Sequence, residues 1–406
     1  METFGFQDVA EKIMKKIKEE RANLKKLNIM VFGKTGVGKS TLINNVFSEK
    51  MAETGVGKPV TDTIRKYEKE NFPLVIYDSP GLELSGENAV DALLKDAFKL
   101  IKEGLESNDI GKAIHCIWYC VSSSSHRFED TEVEFISKFL KETTQYEIPV
   151  IIVLTQSFSK KDSEDLKKVI EKENLNVAGI MPVLAEDYVI SDEYVAKAFG
   201  LDRLVELVNE VIPEAIQNTL VAVQKANLKM KANKAHIVVA TAAAGAAATC
   251  FIPIPFSDAV MLVPEQIAMI AKITTIYGLP VDKATISGVV SATLGTAGAT
   301  VLGKNVVSAI LKLIPGAGSV AGGVISGSVA AAITAALGEA YIAVMGMVSR
   351  GEMNISDIST EKGKATISSI FKEKLKLARN DTGMVVEKKP KQKQKLLGKL
   401  KKKKSN

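Results

Sequence analysis

The chain has 406 residues, 46% of them hydrophobic, enough to build two or three separate cores. Three cysteines (Cys116, Cys120 and Cys250) exclude a disulfide framework and fit a reducing compartment. The net charge of +6 is uneven: residues 388–406 carry ten lysines and no acid, which leaves residues 1–387 at −4 and excludes a basic body.

Residues 1–27 place Phe6, Val9, Ile13, Ile17, Leu24 and Leu27 at helical spacing among Lys and Glu. This predicts an amphipathic N-terminal helix. Two uses are open: packing on the next domain, or contact with a membrane surface or a partner. Charges begin at Glu2 and Asp8, so no signal-peptide core is expected.

Asn28–Phe32 reads as a buried strand, and Ser40–Phe47 as a helix. Between them, Gly33-Lys34-Thr35-Gly36-Val37-Gly38-Lys39-Ser40 fits the phosphate-loop pattern G-x-x-x-x-G-K-[ST] with no mismatch. Glycines let the backbone wrap a phosphate with successive N–H groups pointing inward. The helix N-terminus adds partial positive charge. Lys39 is placed to reach terminal phosphates and the Ser40 hydroxyl to ligate Mg²⁺. The phosphate-holding set is therefore Gly33, Lys34, Thr35, Gly36, Val37, Gly38, Lys39 and Ser40, with Thr41 following in the first helical turn.

Gly55-Val56-Gly57-Lys58-Pro59-Val60-Thr61-Asp62 reads as a switch loop. Thr61 is the first candidate for a second Mg²⁺ hydroxyl, and Thr63 the second. Strands follow at 62–69 and 73–78. The latter ends on Asp78-Ser79-Pro80-Gly81. An acid at this place holds Mg²⁺ through water, and the Gly81 N–H meets the terminal phosphate, so that losing this phosphate releases the next loop.

Helix and strand alternate onward, with helices at 88–106, 128–142, 161–173 and 201–212 and strands at 112–122, 148–154 and 179–184. That rhythm predicts an α/β fold with a mainly parallel sheet covered on both faces. Cys116, Trp118 and Cys120 lie in one of these strands and read as core, as does His115 beside them.

Residues 28–190 resemble an Era-like GTPase of the translation-factor-related class. The resemblance rests on loop, switch threonine and Asp78-Ser79-Pro80-Gly81 in that order and spacing. It implies a P-loop GTPase domain that binds GTP and GDP, needs Mg²⁺ and uses hydrolysis as a switch. Lys39, Thr61 and Gly81 would then serve catalysis. Ser40, Thr61 and Asp78 would serve the metal.

Two departures stand out. The family reads its base with N/T-K-x-D. Here the strand Ile151–Leu154 leads to Thr155-Gln156-Ser157-Phe158. Thr155 matches, Gln156 replaces the lysine, and Phe158 stands where an acid accepts two hydrogen bonds from guanine. Asp162 or another residue would have to supply that acceptor. The last base-contacting loop falls at Val183-Leu184-Ala185-Glu186. The second departure is catalytic. Leu82 follows Gly81, where Ras-like enzymes place a water-orienting glutamine. Gly36 also replaces the asparagine with which some Era-like enzymes recruit potassium. Slow intrinsic hydrolysis is expected, stimulated by self-association (a homodimer) or by an activating protein. Arg127 is a candidate in-cis arginine, or a solvated residue.

From 217 onward, charge thins. Residues 284–303 and 313–338 form uncharged runs of 20 and 26, with small residues four apart at Gly295, Ala299 and Gly303 and at Ser319, Gly323 and Gly327. Such lengths reach the span of a bilayer, and such spacing lets helix backbones close up. Their Ser, Thr, Gly and Ala content fits a soluble hairpin too. Turns are expected at 252–255 and 314–316. Residues 225–348 also resemble a helical domain of unknown function that follows Era-like domains in bacterial GTPases and has relatives among bacterial inner-membrane proteins.

The expected organisation is an N-terminal helix at 1–27, the GTPase domain at 28–216, an all-α Gly/Ala-rich helical hairpin domain at 217–380 and a disordered lysine tail at 381–406. The expected place is a cytoplasmic GTPase domain held at the membrane, peripherally or integrally. Membrane lipids are the leading partner. A ribosome or nucleic acid met by the lysine tail is an alternative, and so is a structural membrane protein that binds nucleotide with weak turnover.

Overall fold

The computed structural model of the protein describes residues 6–51, 58–59, 61, 64–79, 87–125, 127–249, 264–294 and 327–381. Within them, seven strands form one sheet in the order β2-β3-β4-β1-β5-β6-β7. They are β1 (Leu27–Gly33), β2 (Lys58–Pro59), β3 (Arg65–Lys69), β4 (Phe72–Asp78), β5 (Cys116–Ser122), β6 (Val150–Thr155) and β7 (Gly179–Pro182). Strands β4, β1, β5, β6 and β7 pair in parallel, while β2, β3 and β4 form an antiparallel edge. The α/β fold with a mainly parallel sheet is the one the alternation of periods predicts.

Continuous burial of β1 and β6 explains their unbroken apolar sequences: both faces of these strands are covered. On one face α2 (Lys39–Val46), α6 (Leu201–Val211) and α7 (Glu214–Val223) bury Leu42, Leu204 and Leu220 against β1 and β5. On the other, α3 (Glu87–Glu106), α4 (Asp130–Thr143) and α5 (Lys160–Glu171) bury Ile101, Phe139 and Ile170. α7 crosses the boundary expected at 216 and adds Ile216, Leu220 and Val223 to this sheet's core. Cys116 and Cys120 are buried free thiols in β5, each pushed up to about 12 by burial. His115 is locked as a neutral ring. Its Nδ1 accepts from the Asn28 N–H at 2.9 Å, which leaves Nε2 to donate to Ile110 O at 2.7 Å.

A two-stranded hairpin, β8 (Tyr188–Ser191) and β9 (Tyr194–Ala196), follows β7. Sequence periodicity does not predict it, because β8 is exposed on both faces and has no buried side to impose alternation.

The remaining helices form a second core. They are α1 (Phe6–Ala22), α8 (Leu228–Thr249), α9 (Pro264–Tyr277), α10 (Lys283–Leu294), α11 (Gly327–Ser349) and α12 (Glu361–Asp381). The apolar stripe of α1, Val9, Ala10, Ile13 and Ile17, joins this core. Helix α1 therefore packs on helices more than 240 residues downstream, not on the sheet unit that follows it. Lys283 pairs with Glu11 at 2.9 Å, and Arg21 Nη2 donates to Leu279 O at 2.8 Å along the same seam.

Polar bonds fix the helical register inside. Gln266 Nε2 donates to Thr334 Oγ1 at 2.9 Å, and Thr274 Oγ1 shares a 2.7 Å bond with Tyr341 Oη. At Gly327 an added Cβ would lie 2.5 Å from Ala247 O, so α8 and α11 approach closely at one small residue of the predicted series. The uncharged run beginning at 284 enters α10, where Ile286, Val289 and Val290 are buried. Residues 295–326, with the other small residues and the 314–316 turn, lie outside the described residues, as do the turn at 252–255 and the tail from 382. One described helical segment, Ala330–Ser349, is long and apolar enough to cross a membrane by length and composition, and 61% of it is buried inside the protein.

Candidate nucleotide-binding site

The phosphate loop leaves β1 at the centre of the sheet, with β4 on one side and β5 on the other. The chain order switches here, which opens a crevice at the C-terminal ends of the strands. Gly33 turns the chain at φ 143°, and a Cβ there would lie 2.5 Å from Cys120 O. Gly36 and Gly38 also hold positive φ, 78° and 91°. Gly38 is the left-handed residue from which α2 starts.

A cleft of about 390 Å³ opens there, lined by Thr35, Gly36, Gly38, Lys39, Ser40, Thr41, Asp78, Ser79 and Gln156. Lys39 is nearly buried at 9% exposure. Its ammonium donates to Gly33 O at 2.8 Å and Lys34 O at 3.1 Å. Ser40 and Thr41 present the first turn of α2.

Asp78 Oδ1 and Ser79 Oγ are buried and have no hydrogen-bond partner among the described residues. Burial pushes the Asp78 carboxyl up to about 6, against the pull of the Lys39 and Arg65 cations. Unpaired buried oxygens are costly, and these two belong to residues lining a cleft that a ligand can fill. A hydroxyl on α2, an unpaired carboxyl on β4 and a lysine between loop and cleft form a donor set that fits Mg²⁺ with a phosphate chain.

A consequence is testable. Only the carboxylate form of Asp78 can serve a cation, and metal affinity follows deprotonation of its ligands. Mg²⁺-dependent nucleotide affinity should fall about tenfold per pH unit below about pH 6. In Asp78→Asn this step should be absent from titrations at pH 7 and pH 5.

Thr155 and Gln156 brace the loop from the next strands. The Thr155 hydroxyl donates to Val37 O and lies 3.1 Å from Val121 O, tying loop, β5 and β6 together. Gln156 stands at φ 52°. Its Nε2 donates to Gly36 O at 2.9 Å, and its Oε1 accepts from Ser122 Oγ at 2.6 Å. Gln156, which stands where the resemblance expects a lysine, thus braces the loop and carries no charge to the cleft.

Other predicted residues lie elsewhere. Lys34 turns to α4 and pairs with Glu129 at 2.7 Å and Glu132 at 3.6 Å. Val37 is buried under the loop. Thr61 does not line the cleft; its hydroxyl accepts from the Ile64 N–H at 3.0 Å and closes a local turn. Arg127 is exposed before α4. Asp62, Thr63, Gly81 and Leu82 lie outside the described residues. Two contributors escaped the sequence reading: Ser79, though it sits inside the Asp78–Gly81 motif, and Ser122, the last residue of β5 and the first of a run of four serines.

Fold and site together define a P-loop nucleotide-binding domain. Residues 28–156 match the family described as 50S ribosome-binding GTPase, and residues 214–379 match a domain of unknown function (DUF697). Among curated proteins, Septin-12 of Homo sapiens is 23% identical over 188 residues, covering 41% of this chain and 52% of that protein. Septin-9 of Homo sapiens is 25% identical over 234 residues, covering 52% and 37%. The chain thus spans about half of the length of the first of these relatives and 37% of the second. A solved structure of a probable GTP-binding protein engB is 20% identical with a TM-score of 0.31, covering 45% of this chain and 97% of that one.

Proposed function

We propose that this protein is a GTP-binding and GTP-hydrolysing switch of the Era-like kind that works at a membrane surface. The observation that carries the nucleotide part is the buried, unpartnered pair Asp78 Oδ1 and Ser79 Oγ in a cleft with Lys39. When bound, Mg²⁺ would neutralise phosphate charge as the terminal bond breaks. Ser40 and Asp78 would hold it, with Thr61 joining if its turn with Ile64 opens. The loop amides and Lys39 position the phosphates, and Gly81 reports the terminal one.

Leu82 cannot orient an attacking water, so intrinsic turnover is slow and a second molecule supplies the stimulus. A second copy is the favoured one. The β8–β9 hairpin supports it by exposing Tyr188, Val189, Ile190 and Tyr194 on the loop side of β7.

The membrane part draws on Ala330–Ser349 and on ten lysines at 388–406, each worth about 1 kcal/mol near an anionic leaflet. Flotation on vesicles containing phosphatidylserine is the test. Full-length protein should float, and a variant ending at residue 381 should float less, more so in low salt. If neither floats and the protein sediments with ribosomes, the membrane assignment fails.

A further inference from the structure

The base end of the cleft is built differently from its phosphate end. Two residues past Gln156, Phe158 packs on Tyr188 of β8, with ring centroids 4.4 Å apart and planes tilted by 44°. The left-handed turn at Gln156 bends the chain so that the Phe158 N–H donates to Gln156 O at 2.8 Å. The two rings come from the loops after β6 and β7, neighbouring parallel strands, so both lie on the rim that carries the phosphate loop. Gln156, in the same turn, lines the cleft and bonds Gly36. Tyr188 remains 49% exposed.

Of the described acids near this rim, Asp187 is engaged elsewhere, and Asp162 and Glu186 are the rivals that the variants below address. Asp187 is committed to the hairpin, with Oδ2 2.8 Å from Lys197 Nζ and Oδ1 accepting from the Ala198 N–H at 2.8 Å. Asp162 sits in the first turn of α5, its N–H bonded to the Ser159 hydroxyl. Glu186 is exposed. An aromatic face, by contrast, stands at the position after β6 where a base-reading acid would be needed.

We propose that Phe158, backed by Tyr188, is a stacking platform for the purine of the bound nucleotide, and that no carboxylate reads the base. This deepens the nucleotide-switch reading and rests on it. Every base has a π-face, so stacking gives affinity without strict identity. A site built on hydrogen bonds to the base would instead reject the wrong one by factors of about 10⁴–10⁵. The site should therefore accept purine nucleoside triphosphates as a class, with a weak preference for guanine.

The test is equilibrium binding of GTP, ITP, ATP and inorganic triphosphate to the full chain with Mg²⁺. Wild type should hold the three nucleotides within about tenfold of each other, each more tightly than triphosphate. Phe158→Ala and Tyr188→Ala should each weaken all three by roughly 5- to 150-fold, the loss expected for one stacked base, with triphosphate unchanged. Phe158→Trp should retain affinity. The exposed Tyr188 can be truncated without opening a core, which guards against misfolding of the Phe158 variant.

A preference for GTP over ITP and ATP above about 10³-fold, lost in Asp162→Asn or Glu186→Gln and untouched in Phe158→Ala, would overturn the platform and leave the nucleotide site standing. Equal affinity of nucleotides and triphosphate would also overturn it. No binding of any of them would remove both.

Discussion

Lys39→Ala should lose nucleotide binding by about 100-fold or more while its melting temperature stays close to that of wild type. Among the described residues that line the cleft, the ammonium is the one cation. It is held in place by Gly33 O and Lys34 O and is almost fully shielded from water. Each charge-assisted bond it makes to phosphate contributes about 1.5–3 kcal/mol, so losing two gives that factor. Folding does not depend on it. Helix α2 is anchored by Leu42, Ile43 and Val46, the loop is anchored by Thr155, and alanine is a strong helix former. Titration calorimetry with GTP alongside a thermal melt separates the two effects. A folded variant that binds within about threefold of wild type would move the phosphate site elsewhere.

Lys231→Met should destabilise the protein by about 3 kcal/mol, the other large effect. Lys231 is 1% exposed in α8, yet no carboxylate among the described residues pairs with it. Its ammonium instead sits among four carbonyl oxygens, shared between its three N–H donors: Val221 at 2.6 Å, Ala222 at 3.1 Å, Ile276 at 2.7 Å and Tyr277 at 3.2 Å. These oxygens end α7 and α9, so one cation caps the negative ends of two helices. Burial pushes the group down to about 7, and the carbonyl cage opposes that by favouring the charged form.

The position gives this cap its weight. α7 belongs to the sheet's core and α9 to the helical core. The end of α2, the phosphate-loop helix, is tied to the same place. The Ser48 N–H donates to Val223 O at 2.8 Å, and the Lys225 N–H donates to Val46 O at 2.9 Å. Methionine fills the space but leaves these acceptors, three of them buried, without the ammonium. A lower melting temperature and new protease cleavage between 223 and 228 are expected. A melt unchanged from wild type would mean that water or neighbouring groups replace the ammonium.

Legibility from sequence followed how local the constraint is. The phosphate loop was readable because its chemistry dictates residue types at fixed spacing, and three of its glycines do hold positive φ. Strands β1 and β6 were readable because burial on both faces leaves an unbroken apolar run. Contacts between distant segments were not. Lys231 lies near Lys229 and Lys234 and reads as a solvated residue until two helix ends meet around it. Phe158 reads only as a missing acid, since its partner Tyr188 lies 30 residues on, in a strand with no buried face. The stripe of α1 announces a packed helix, but its partner α9 begins at Pro264. Thr61 fits a metal site by motif, yet its hydroxyl is held in a turn by Ile64.

Phosphate release from GTP, followed with and without Mg²⁺ over a range of protein concentrations, tests the central claim most directly. The predicted result is slow, Mg²⁺-dependent release whose rate per molecule rises with concentration and disappears in Lys39→Ala. Release that is equal in wild type and Lys39→Ala, or absent from wild type at every concentration, would contradict it.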